Sequence, residues 1–192
     1  MPNDETPLIN LWGEQVALGP LHAGLLPLLE RWENDFPTVV SGGALPLPAS
    51  PEAVAAGWGK LIAGEREGWV GFAIYALPGC GPIGHANLRD LGGPHRTAEF
   101  GITIFDPANR GRGYGTEATR LLLDYAFTCL GVHNVLLDTS SDNPGAIRAY
   151  EKAGFREIGR RRNAVWRATG PVDAVLMDCV PADLVAKVAT DD

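Results

Sequence analysis

A mixed α/β (α+β) fold is predicted for this 192-residue chain from three observations. Short runs of alternating apolar residues recur between turn signals, which is strand behaviour. Helical spacing behind an N-cap and a first-turn proline appears at "SPEAVAAGWGKLI" and again at "NPGAIRAYEKAG". The order is strand, helices, strands, helix, strand, helix, strands. One β-α-β-α-β passage thus lies inside an otherwise antiparallel arrangement.

Each element follows from its residues. "LINLWGEQVAL" (Leu8 to Leu18) alternates loosely and reads as the opening strand. Leu21, Leu25, Leu28, Leu29 and Trp32 then fall at helical spacing, with Pro27 expected to bend the helix. "PTVVSGGALPLPASP" reads as a loop before a helix that runs from Pro51 to about Gly64. Trp69 to Leu77 and Pro82 to Asp90 read as strands joined by "PGCG", and Ala98 to Phe105 as a third. In that third strand Phe100, Ile102 and Ile104 share one face, Glu99, Gly101, Thr103 and Phe105 the other. "TEATRLLLDYAFTCLG" is an amphipathic helix with a stripe of Ala118, Leu121, Leu122, Tyr125, Ala126 and Cys129. Val132 to Ser140 is a strand, and Asn143 caps the helix that ends at Gly154. "FREIGRRR" and "AVLMDCVP" read as a closing antiparallel pair around a loop, "NAVWRATGPVD".

Composition narrows the function. The chain is 45% hydrophobic and 20% charged, as expected of one globular domain. A net charge of -7 argues against nucleic acid, whose binding rests on phosphate neutralisation, and suits a cationic partner. Cys80, Cys129 and Cys179 are odd in number and far apart. They are read as small buried hydrophobes, and no metal site is expected. No apolar run approaches the ~18–20 residues of a membrane span, and "MPNDETPLIN" lacks a basic leader. The expectation is a cytoplasmic protein that does not contact membrane.

The segment "RGRGYGTEA" (Arg110 to Ala118) carries the chemistry. A strand that ends in a glycine-rich turn and runs into a helix is an anion site in principle. Free N–H groups and the positive helix end converge there, and Arg110 and Arg112 add charge. The Walker pattern fails, because Thr116 and Glu117 follow Gly115 with no lysine. The spacing of Gly111, Gly113 and Gly115 is a weak match to the dinucleotide fingerprint. A glycine-rich turn with solvated arginines also accounts for the segment alone.

Context favours an anion. Arg110-x-x-Gly113-x-Gly115 resembles the pyrophosphate-binding loop of the GNAT superfamily of acyl-CoA-dependent N-acetyltransferases. "NPGAIRAYEKAGF" (Asn143 to Phe155) resembles that superfamily's second motif, and the two stand in the expected order. "GEQVALGPLHAGLLPLLERWEND", "GPIGHANL", "TAEFGITI", "GRRR" and "VDAVLMDCV" are similar to its RimJ/RimL-type branch. The resemblance covers about residues 8–180 and implies a single domain over 1–192. It also implies a central mixed, mostly antiparallel sheet with splayed strands, flanked by helices.

The resemblance implies acetyl-CoA as co-substrate. Gly111, Arg112, Gly113, Tyr114, Gly115 and Thr116 would cradle the pyrophosphate, with Arg110 auxiliary. The backbone of Ile102 and Ile104 would run along pantetheine, and Asn143 would be a cofactor-side contact. Tyr150 matches the residue that donates a proton to the leaving sulfur in relatives. Glu99 is a candidate base for the amine, as are His85 and Asp138, and some relatives use none. The acceptor could be a protein N-terminus, a polyamine or an amine-bearing small molecule or antibiotic. Relatives often dimerise, so a homodimer is implied by resemblance alone. A catalytically weak acyl-CoA-binding module and a protein-interaction domain remain open beside the enzyme.

Overall fold

The computed structural model describes residues 7–184, so the last residues of the predicted tail lie outside the described range. The opening strand is a small hairpin, β1 (Leu11–Trp12) and β2 (Val16–Pro20), closed by the Gly13 amide on Val16 O at 2.9 Å. Next come a 3-10 turn at Ala23–Leu25 and helix α1 (Leu26–Glu33). Pro27 does not bend this helix. It lies in the first turn, where its missing N–H has no acceptor to lose. Helix α2 (Phe36–Ser41) forms inside the predicted loop; six residues are too few to show a period. Helix α3 (Pro51–Ile62) starts as expected, with Ser50 Oγ accepting from Ala53 N at 3.2 Å.

Strands β3 (Val70–Ala76), β4 (Gly81–Arg89) and β5 (Thr97–Ile104) form an antiparallel meander. Helix α4 (Tyr114–Thr128), β6 (Asn134–Ser140) and helix α5 (Pro144–Ala153) follow, then β7 (Arg156–Arg167) and β8 (Gly170–Cys179). The predicted loop "NAVWRATGPVD" is mostly strand, because β7 and β8 pair out to Arg167↔Gly170. Its glycine and proline suggested a loop. The structure instead absorbs the irregularity in a bulge between Arg161 and Val165, where Asn163 has φ 52°.

The strands form one sheet in the order β1-β2-β3-β4-β5-β6-β8-β7, and only β5 and β6 run parallel. One face packs Leu18, Ile74, Leu88, Phe100, Val135 and Met177 against Leu122 and Leu123 of α4, with Tyr150 of α5 at the edge. The other packs Ala73, Tyr75 and Phe105 against Leu25, Leu29 and Val54 from the α1 and α3 side. The stripe of α4 differs from its prediction. Thr119 and Leu123 are buried and Cys129, past the helix end, is exposed. Thr119 tolerates burial because its hydroxyl donates to Gly115 O at 2.6 Å. Of the cysteines, only Cys179 is buried.

Leu122 is fully enclosed. Leu122→Ala is therefore expected to cost about 2–5 kcal/mol of stability, measured by urea unfolding.

Candidate active site

The parallel pair parts early. β5 meets β6 only at Thr97↔Asn134, Ala98↔Val135 and Glu99↔Leu136, whereas its pairing with β4 continues to Ile104. The Phe105 amide donates to Ile83 O at 3.0 Å, toward β4. Strand alternation then turns the N–H and C=O groups of Ile102 and Ile104 the other way, into the gap. The Ile104 carbonyl is already taken by Arg110 Nε at 3.0 Å, so Ile102 offers both of its groups and Ile104 only its N–H.

The loop after β5 leads straight to a helix N-terminus with the character that suits an anion. Gly113 is the N-cap of α4 with φ 89°, a left-handed conformation that glycine adopts without strain. The Arg110 amide donates to Pro107 O at 3.1 Å and the Glu117 amide to Gly113 O at 3.0 Å. Between them, the amides of Gly111, Arg112, Gly113, Tyr114, Gly115 and Thr116 find no acceptor among the described residues. Glu117, the acid in the helix's first turn, does not fill the site. Its carboxylate accepts the amides of Glu14 and of Gln15, the latter at 3.0 Å. Sequence reasoning missed that role, because the contact links residues about a hundred positions apart. Arg112 is exposed and free to meet an anion.

Arg110 departs from expectation. Its guanidinium turns back onto Ile104 O, Phe105 O and Thr38 Oγ1, bracing the end of β5 against α2 rather than standing over the amide run. Across the gap, Arg167 of β7 binds Asp142 (3.0 and 3.4 Å) and donates to Val40 O of α2 at 3.2 Å. These bonds from Arg167, with one from Ser140, hold the Asp142 carboxyl below its usual pKa. Helix α2 is thus held between arginines from the two sides of the cleft.

Asn143 does what an N-cap does: its Oδ1 accepts from Ala146 N at 3.1 Å, and its Nδ2 is unengaged among the described residues. Thr116 Oγ1 donates to Ala149 O at 3.5 Å and ties α4 to α5. Tyr150 packs edge-on against Phe100 and Phe155, with centroids 6.2 and 5.9 Å away. Its hydroxyl has no partner among the described residues. Burial first, and the Asp138 charge second, push its pKa up to about 12. Glu99 is not a free carboxylate, because Arg89 pairs with it. Asp138 is exposed on β6, two residues past Leu136, where the pairing with β5 ends, which places it at the gap. His85 stacks on Phe105 (5.3 Å) and meets the edge of Trp58 (5.0 Å). Burial lowers its pKa to about 4, so its ring is neutral at physiological pH.

Residues 20–156 match the acetyltransferase (GNAT) domain. The chain belongs to the GNAT acetyltransferase family. Among its GNAT relatives is the spermidine N(1)-acetyltransferase of Vibrio cholerae serotype O1, 39% identical over 77 residues, which are 40% of this chain and 44% of that one. The Escherichia coli K12 enzyme of the same name is 39% identical over 76 residues, 40% of each chain. The N-alpha-acetyltransferase RimI of Mycobacterium tuberculosis is 34% identical over 126 residues, 64% of this chain and 72% of that one. The chain spans less than half the length of the spermidine N(1)-acetyltransferases that it matches. Among solved GNAT structures, spermidine N-acetyltransferase from Vibrio cholerae in complex with CoA and spermine superposes with a TM-score of 0.80 at 25% identity. That match covers 90% of this chain and 99% of the other. The mixed, mostly antiparallel sheet with flanking helices is therefore the family's fold.

Proposed function

We propose that the chain is an acetyl-CoA-dependent N-acetyltransferase whose acceptor is a primary amine of a polyamine-like cation. The observation that carries the reading is the parting of β5 from β6 after Glu99, directly before a run of unpaired amides at the start of α4. An extended thioester with a pyrophosphate at its far end suits that arrangement: one edge for pantetheine amides, one helix end for the anion. The named spermidine relatives favour a polyamine over the protein N-terminus or antibiotic amine that a RimJ/RimL-like branch also allows. A net charge of -7 favours a cation as well.

When bound, acetyl-CoA supplies a thioester whose carbonyl carbon the neutral amine attacks, so that a C–N bond forms and the C–S bond breaks. The amides of Gly111 to Thr116, with Arg112, hold the phosphates. Ile102 pairs with the amide-bearing arm, and Asn143 Nδ2 donates toward it. Tyr150 donates its hydroxyl hydrogen to the departing sulfur. With a pKa well above that of a thiol, it stabilises the thiolate by a hydrogen bond more readily than by complete proton transfer. Asp138 or water takes the proton that the amine loses. Glu99 is the weaker base, being neutralised by Arg89. A cytoplasmic setting belongs to the same proposal. So does a homodimer built on the end of the α1/α3 face that those helices leave uncovered, where Leu136 and Ile158 are 38% and 55% exposed.

The test is thiol release from acetyl-CoA with spermidine, a ribosomal-protein N-terminal peptide and an aminoglycoside, with products weighed by mass spectrometry. Acetylated spermidine is the expected product. Acetyl-CoA that raises the melting temperature without turnover on any amine would instead mark an acyl-CoA-binding module. No rise at all would overturn the reading.

A further inference from the structure

One row across the sheet runs Gly71, Asn87, Gly101 through β3, β4 and β5. The Trp69 ring fills the space above Gly71, where an added Cβ would lie 2.0 Å from its Cη2. The Asn87 side chain therefore leans the other way. Its Nδ2 and Oδ1 lie 3.1 and 3.3 Å from where a Cβ on Gly101 would stand. Asn87 is 9% exposed, yet its carboxamide has no hydrogen-bond partner among the described residues. Two residues earlier on the same face is His85, whose Nδ1 is buried and also without a partner. An atom left unpaired at the depth of His85 Nδ1 is costly, and a native sequence keeps it where something else completes it, while the Asn87 carboxamide beside it stays within reach of solvent.

Their position says what completes them. His85 lies opposite Thr103 and Asn87 opposite Gly101, so the pair brackets Ile102. Ile102 is the residue whose backbone groups open into the gap. Alternate residues on a strand are about 7 Å apart, and two hydrogen bonds of about 3 Å each span nearly that distance. A primary amine nitrogen between the two side chains can donate to both, with its lone pair left for the gap. The flanking charges suit the delivery of a cation but not its retention at this point. Arg89 is paired with Glu99 two positions along the same face, and Asp138 lies across the gap.

We propose that Asn87 and His85 receive the attacking amine, with Asn87 Oδ1 and His85 Nδ1 accepting its two N–H bonds beside Ile102. This rests on the acetyltransferase reading above and adds the acceptor-binding residues to it. The two acceptors fix the direction of the nitrogen, while burial of the site disfavours the ammonium, which has no lone pair to give. His85 Nδ1 accepts when its proton sits on Nε2.

Asn87→Leu separates this role from packing, because it keeps the volume and removes both polar atoms. The variant is expected to stay folded with little change in melting temperature, since among the described residues the Asn87 carboxamide makes no hydrogen bond to lose. Its kcat/KM for spermidine at saturating acetyl-CoA should fall about tenfold, with acetyl-CoA affinity unchanged. Gly101→Ala is the second variant. Its Cβ presses on the flexible end of Asn87 and meets Arg89 Nη1 at an ordinary 3.5 Å, so the fold holds while the carboxamide is displaced, and spermidine kcat/KM should fall similarly. His85→Phe should lower the same ratio. If the parent acetylates spermidine and all three variants match it within twofold, this inference is wrong and the acetyltransferase reading stands. If the parent acetylates no amine, both fall.

Discussion

Gly113→Glu is expected to abolish measurable acetyl-CoA binding, a loss of at least about a hundredfold in affinity. Gly113 sits at φ 89° in the middle of the unpaired amide run. A glutamate there adds a carboxylate where an anion must sit, at the positive end of a 15-residue helix. It also strains a left-handed backbone by about 1–2 kcal/mol. The two effects separate experimentally. Gly113→Asn tolerates the conformation without the charge, and the nearest atom to its new Cβ, Gln15 Nε2, is at 3.5 Å, an ordinary contact. Isothermal titration should show weak binding for the asparagine variant and none for the glutamate variant, with both folded by circular dichroism. Unchanged affinity in the glutamate variant would take the pyrophosphate away from this loop.

Tyr150→Phe is expected to lower kcat by roughly 10²–10³ while acetyl-CoA affinity stays within about threefold. The ring's contacts with Phe100 and Phe155 survive the substitution, so only the hydroxyl is lost. The pH profile gives a second readout. A folded-state pKa raised to about 12 keeps the phenol protonated until well above pH 10. The parent's kcat/KM should therefore rise with pH as the acceptor amine loses its proton, with no downturn from Tyr150 below about pH 11. A downturn near pH 8–9 that vanishes in Tyr150→Phe would mean a much more acidic phenol than its burial implies. Unchanged kcat would return Tyr150 to packing.

What could be read from the sequence follows a physical division. Elements announced by local rules were legible: the Ser50 and Asn143 caps, the helix behind Gly113, the alternation in β5. The run of unpaired amides was legible for the same reason, since it is set by consecutive residues. Long-range side-chain contacts were not legible. Arg110 looked like a phosphate ligand because its charge was visible and its partners, Thr38 and the β5 carbonyls, were not. Glu99 looked free because Arg89 lies ten positions away on another strand. Asn87 gave no signal at all, because its importance comes from two glycines on the neighbouring strands. Pro27 misled because proline's effect depends on whether it falls in the first turn or the middle of a helix, and the helix start was unmarked.

The arginine contacts of α2 bear on the cost of binding. An unpaired strand edge invites closure onto the nearest strand, and β6 is already in register with β5 at Glu99. Helix α2, tied to the end of β5 by Arg110 and to the end of β6 through Arg167 and Asp142, works as a spacer that keeps the zipper from running on. The cleft is therefore open before any ligand arrives. The proposed acyl-CoA donor would not have to spend binding energy on prising two strands apart, and that energy would remain for affinity and for orienting the thioester.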